Sequence, residues 1–195
     1  MGGEMREERR VVTAMFADLV GSTALAERLD PEDAKVIVND AVTRAIAAVE
    51  AFGGTVKDLA GDGVLSLFGA PTAHEDDAER AVRAALRVIQ EISAYADEVE
   101  RAFGVSGFGV RVGVDTGPVV VGQIGAGSRV EYGALGDAVN TAARLQALAE
   151  PGHVVIGART ASEAGERLET APLGGQFLKG RTEPMEAFEL VAVHG

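Results

Sequence analysis

The order of strand-like and helix-like segments predicts an α+β fold of the ferredoxin-like split βαβ plan, βαββαβ, followed by a C-terminal α/β appendage. Three observations carry that expectation. Val11 to Leu19 is a β-rich apolar run that leads into Gly21-Ser22-Thr23, a strand feeding a helix start. TVKDLA and VLSLFG flank a Gly-Asp-Gly turn, a hairpin signal because glycine accepts the positive φ of tight turns. Two long segments, from Asp30-Pro31 to Phe52 and from Thr72 to Phe103, repeat apolar residues at helical spacing.

Each element has a local cause. Asp30 is a candidate N-cap with Pro31 at the first helical position, and Gly53-Gly54 stops that helix. Glu75, Asp76 and Asp77 favour a helix N-terminus through its dipole, so His74-Glu75-Asp76-Asp77 reads as a helix opening rather than a metal cluster. Val110 to Val121 reads as two strands around Asp115-Thr116-Gly117. GDAVNTAARLQALAE reads as a helix ended by Pro151-Gly152. His153 to Ile156, a short helix to about Leu168, and strands over Gln176 to Leu178 and Met185 to Val193 complete the order. Helices are expected on one face of a mostly antiparallel sheet, with the other face left for a partner.

Composition bounds the function. A length of 195 residues suits one domain; residues 1–10 are expected as a flexible lead-in and 11–195 as that domain. A net charge of −12 argues against a nucleic-acid surface, which needs clustered Lys and Arg. The absence of cysteine excludes disulfides and thiolate metal sites. No apolar run approaches the ~20 residues of a membrane span, so no membrane contact and a cytoplasmic setting are expected.

Chemistry concentrates on two aspartates. Asp18 ends the first strand and Asp62 occupies the hairpin tip, and in this plan those strands are neighbours. Their carboxylates can converge on Mg²⁺ or Mn²⁺, which take one or two carboxylates plus phosphate oxygens. Two such ions suit in-line displacement at phosphorus. Gly21, Ser22 and Thr23 would offer backbone N–H groups to phosphate. The competing structural reading is a plain hairpin turn and a plain helix cap.

The blocks FADLVGSTALAERL, GGTVKDLAGDGVLSLFGAP, VRVGVDTGPVVVGQIG and YGALGDAVNTAARL resemble, in order, those of bacterial-type class III adenylate/guanylate cyclase catalytic domains. LKGRTEPMEAFEL resembles their closing strand pair. The resemblance implies a cyclase palm domain that forms a head-to-tail homodimer, with each site drawing on both protomers. It implies a nucleoside triphosphate substrate and two divalent cations, Mg²⁺ or Mn²⁺. By the same resemblance, Asp18 and Asp62 are metal ligands, with Leu19 adding its carbonyl. Gly21, Ser22, Thr23, Arg111 and Lys179 contact phosphates. Asn140 and Arg144, from the other protomer, position the ribose and stabilise the transition state; their spacing puts both on one helix face.

The base-reading positions depart from the ATP pattern. Four residues before Asp62 stands Asp58 instead of lysine, and seven before Asn140 stands Gly133 instead of Asp or Thr. A carboxylate accepts from donor edges such as guanine N1–H and N2–H₂, so GTP is weakly favoured, with ATP or CTP open. Lys57 is expected to point away from Asp58 unless a bulge intervenes. The alternative function is a catalytically silent, nucleotide-sensing or regulatory dimer module. A diguanylate cyclase is excluded by the lack of a GG-[DE]-[DE]-F run.

Overall fold

The computed structural model describes residues 8–124 and 131–195. The chain runs β1 (Glu8–Val20), α1 (Ser22–Arg28), α2 (Pro31–Ala51), β2 (Thr55–Ala60), β3 (Gly63–Phe68), α3 (Asp77–Phe103) and β4 (Gly109–Ile124). It continues through β5 (Glu131–Leu135), α4 (Asp137–Leu148), β6 (Val154–Gly157), α5 (Ala158–Ala164), β7 (Leu168–Gln176) and β8 (Met185–Val193). The first half follows the β-α-β-β-α-β order expected. The strands form one sheet in the order β2-β3-β1-β4-β6-β8-β7, with β5 also pairing β4. Only the β4–β6 pairing is parallel, so the sheet is mostly antiparallel.

β1 sits between β3 and β4 and alternates its side chains between two cores. Met15, Ala17 and Leu19, with Val110, Val112 and Val114 of β4, pack under α2 and α3. Val12 and Ala14, with Val119 and Val121, face the opposite way and meet Ala138 and Ala142 of α4. The second face is therefore not left wholly free, because α4 lies on it. Gly113 explains why: a Cβ there would stand 2.1 Å from the Ala142 carbonyl oxygen and 2.3 Å from the Gln146 nitrogen. The missing side chain lets the helix backbone rest directly on β4.

Four boundaries differ from the sequence expectation. β1 begins at Glu8, so Glu8 to Arg10 belong to the sheet and pair with Val121 to Val119. β4 is a single strand: Asp115, Thr116 and Gly117 pair with Ala14, Thr13 and Val12 instead of turning. Gly117 has no positive φ, and β1 is long enough to pair the whole stretch. α3 starts at Asp77, after a turn in which the Asp77 carboxylate accepts the His74 N–H at 2.7 Å. The penultimate strand is Leu168–Gln176, not Gln176 to Leu178. Its Pro172 and Gly174 break the alternation with a register shift, which hides it from a period-two reading.

Candidate active site

The register brings the two aspartates together. Asp18 pairs with Gly63, directly after Asp62 at the hairpin tip, and the Leu19 N–H donates to the Asp62 carbonyl oxygen at 3.2 Å. Burial pushes the Asp18 carboxyl above its ordinary range; the Arg111 guanidinium opposes that rise and the Asp62 charge adds to it. Arg111 is the direct cross-strand partner of Asp18. Its Nε is buried without a hydrogen-bond partner.

The phosphate-cradle residues stand beside this pair. The Ser22 hydroxyl donates to the Asp62 carboxylate. Gly21 caps α1 with φ 83, and a Cβ there would lie 2.5 Å from the Gly107 carbonyl oxygen, so only glycine makes this turn. A cleft of 540 Å³ is lined by Ser22, Thr23 and Asp62 together with Lys35 and Asn39 of α2. No motif in the chain marks Lys35, whose relation to the site comes from α2 passing the end of β1.

A second cluster is built on α4. Asn140 is exposed and Arg144 half-buried on the same helix. The β7–β8 connection brings Lys179 to them: the Arg144 guanidinium lies 3.2 Å from where a Gly180 Cβ would stand. Arg181 donates to Asp137 at 2.5 Å and to Thr141 at 3.2 Å, both on α4. Beneath them Asp115 of β4 is buried, and burial pushes its carboxyl up to about 7 against the pull of Arg181. Among the described residues, no hydrogen bond or ion pair joins this cluster to the Asp18 cluster.

The two positions expected to read the base lie on different strands. Asp58 is on the edge strand β2 and Gly133 on β5, with β3, β1 and β4 between them. Gly133 pairs with Gly122 across β5 and β4. A bulge does intervene at Lys57: Val56 pairs with Ser66 and Asp58 with Leu65, leaving Lys57 as the extra residue. Lys57 and Asp58 consequently line one cleft of 420 Å³ with Thr55, Leu67, Ala70 and Pro71. One Asp58 oxygen accepts the Leu59 N–H at 2.8 Å, which fixes the carboxylate.

The profile of the adenylate and guanylate cyclase catalytic domain matches residues 5–192. The chain belongs to that family. Over 187 residues it is 33% identical to Adenylate cyclase 1 of Rhizobium meliloti (strain 1021), covering 95% of this chain and 28% of the relative. The chain thus spans under a third of that relative's length. Among solved structures, the adenylyl cyclase CyaB from P. aeruginosa superposes with a TM-score of 0.89 at 28% identity, covering 97% of each chain. The guanylyl cyclase Cya2 gives 0.85 at 31% identity, covering 95% of this chain and 94% of that one. Relatives named for both purine bases share the fold, so the fold does not decide the base.

The cyclase domain's donor set fits the cations that its sequence implies. Hard carboxylate oxygens from Asp18 and Asp62 suit Mg²⁺ or Mn²⁺. Among the described residues no group of three or more His, Cys, Asp or Glu gathers, so phosphate and water oxygens would have to complete the coordination. Asp115 and Arg181 lie inside the VRVGVDTG and LKGRTEP blocks, but the resemblance assigns neither a role. A buried acid in an apolar strand was the one available signal, since such a carboxyl needs a cation nearby.

Proposed function

We propose that this cyclase domain converts a nucleoside triphosphate to a 3′,5′-cyclic nucleotide and pyrophosphate at sites shared by two protomers of a head-to-tail homodimer. The observation that carries this reading is the division of the site residues into two separate clusters, each incomplete alone. Asp18, Asp62, Ser22 and Arg111 form the carboxylate end. Asn140, Arg144 and Lys179 form the cationic end.

In this reading the 3′-hydroxyl gives up its proton to water, its oxygen forms a bond to the α-phosphorus, the bond from that phosphorus to the bridging oxygen breaks, and pyrophosphate leaves. Asp18, Asp62 and the Leu19 carbonyl would hold two divalent cations, which lower the charge on the phosphates and the pKa of the 3′-hydroxyl. Ser22, Thr23 and the backbone N–H groups after Gly21 bind phosphate oxygens. Arg111 neutralises Asp18 and faces the same phosphates. Asn140 orients the ribose, Arg144 offers its planar fork to charge developing at phosphorus, and Lys179 holds the terminal phosphates.

The Lys57–Asp58 cleft would take the base. Guanine presents O6 to Lys57 and two adjacent N–H donors to Asp58, while adenine presents one acceptor and one amino group. GTP is therefore the favoured substrate, by one polar contact. A cytoplasmic location belongs to this reading because the triphosphates are there; no helix among the described residues is long and apolar enough to cross a membrane. Turnover of each of the four triphosphates with Mn²⁺, with product identification, tests the proposal. Nucleotide binding without product from any of them would instead favour the silent regulatory module.

A further inference from the structure

The connection carrying Lys179 is pinned on both sides of that residue. Before it, Leu178 is buried with Leu145 and Val155. After it, one Arg181 nitrogen bridges Asp137 and Thr141. Between them Gly180 takes φ +84, and the Arg144 guanidinium lies over the space its side chain would need. Asp137, Thr141 and Arg144 follow one another at i, i+4 and i+7 on α4, so the anchor points and Arg144 share one stripe.

Arg181 is not an ordinary surface pair. Its side chain is only 33% exposed, its Nε is buried without a partner, and the buried Asp115 carboxyl feels its charge. The cyclisation reading gives it no task.

We propose that Arg181 is a positioning residue that fastens the Lys179 turn to α4, so that Lys179 and Arg144 meet the substrate's phosphates as one rigid unit. This rests on the reading of Lys179 and Arg144 as phosphate-facing groups. A loose turn carrying Lys179 would have to be ordered at each binding event; fastening it beforehand removes that entropy loss from binding. Both α4 oxygens are reached by one terminal guanidinium nitrogen, at the end of a side chain one bond longer than a lysine's, so a lysine at this position would reach them less well.

The test compares wild type, Arg181→Ala, Arg181→Lys, Lys179→Ala and the Arg181→Ala/Lys179→Ala double variant. Turnover constants with Mn²⁺ are measured beside the Kd of an α,β-methylene triphosphate by calorimetry, after melting curves establish folding. Arg181→Ala is expected to raise KM and Kd about 10-fold, with Arg181→Lys recovering only part of the loss and Lys179→Ala adding little in the Arg181→Ala background. If Lys179→Ala costs the same in both backgrounds, or if Arg181→Ala binds like wild type, the proposal is overturned. Should Arg181→Ala not fold, Asp137→Asn replaces it in the same cycle and is held to the same non-additivity. A wild type that binds the analogue without turnover, yet loses affinity non-additively, would sink the cyclase reading and keep the positioning role. A wild type that neither binds nor turns over sinks both.

Discussion

Asp18 and Arg111 face each other across the β1–β4 register, and the guanidinium offsets only part of what burial does to the carboxyl. The Asp18 carboxyl is held above its ordinary range by burial in spite of the guanidinium beside it. The Arg111 Nε is buried with no hydrogen-bond partner. A cation between Asp18 and Asp62, with a phosphate against Arg111, would answer both.

Asp18→Ala and Asp62→Ala should each abolish turnover and leave a folded protein, because each removes one of the two carboxylates proposed to hold the cations. The same variants should lose the rise in melting temperature that Mn²⁺ gives wild type. Near-normal activity in either variant would remove it from the metal site.

Arg111→Ala should move Mn²⁺ binding to higher pH. Arg111 lowers the Asp18 pKa, so its loss lets that pKa rise further, and a cation must then compete with the proton up to a higher pH. Calorimetric Mn²⁺ affinities across pH 5 to 9 read the shift. An unmoved profile would show that Arg111 does not tune Asp18.

Asp115→Asn should flatten the dependence of stability on pH. Burial raises the folded-state pKa to about 7 from the ordinary 3.8. Below 3.8 the group is protonated in both states and contributes nothing. As pH rises towards 7 the unfolded chain ionises first, so stability falls and levels off above 7. Asp115→Asn should match wild type near pH 4 and exceed it at pH 8 by on the order of 4 kcal/mol. Urea midpoints across that range check this; equal stability at pH 8 would place the Asp115 charge in a well-compensated environment.

Much of this was legible in the chain. A strand ending in Asp18, a Gly-Asp-Gly hairpin and two amphipathic helices fix the core order, because each has a local cause in periodicity or turn chemistry. What escaped depends on distant partners. Asp115-Thr116-Gly117 looks like a turn until a long β1 pairs with it. α4 looks like another surface helix until Gly113 admits its backbone to the sheet. The bulge at Lys57 is set by its pairing with β3. Arg181 takes its place from α4, 40 residues away at Thr141.

Base choice should depend on both bulge residues. Asp58→Ala is expected to lower kcat/KM for GTP by roughly 5- to 150-fold while affecting ATP less, since a buried donor left unpaired costs ~1–3 kcal/mol. Lys57→Ala should lower both, because each purine offers an acceptor to it. Competition among all four triphosphates reads the outcome. A clear ATP preference in wild type would show that Asp58 does not read the base.

The shared site is tested most directly by mixing two inactive proteins. Asp18→Ala lacks the proposed metal ligand but keeps Arg144; Arg144→Ala lacks the proposed transition-state arginine but keeps Asp18. A heterodimer of the two has one site with both residues intact, so mixing should restore activity to as much as about a quarter of the wild-type rate when subunits exchange freely in a symmetric C2 dimer. Mixed-species turnover, measured after mass spectrometry establishes subunit exchange, gives the answer. Recovery is the result expected; no recovery in an exchanged mixture would contradict a site built from two protomers.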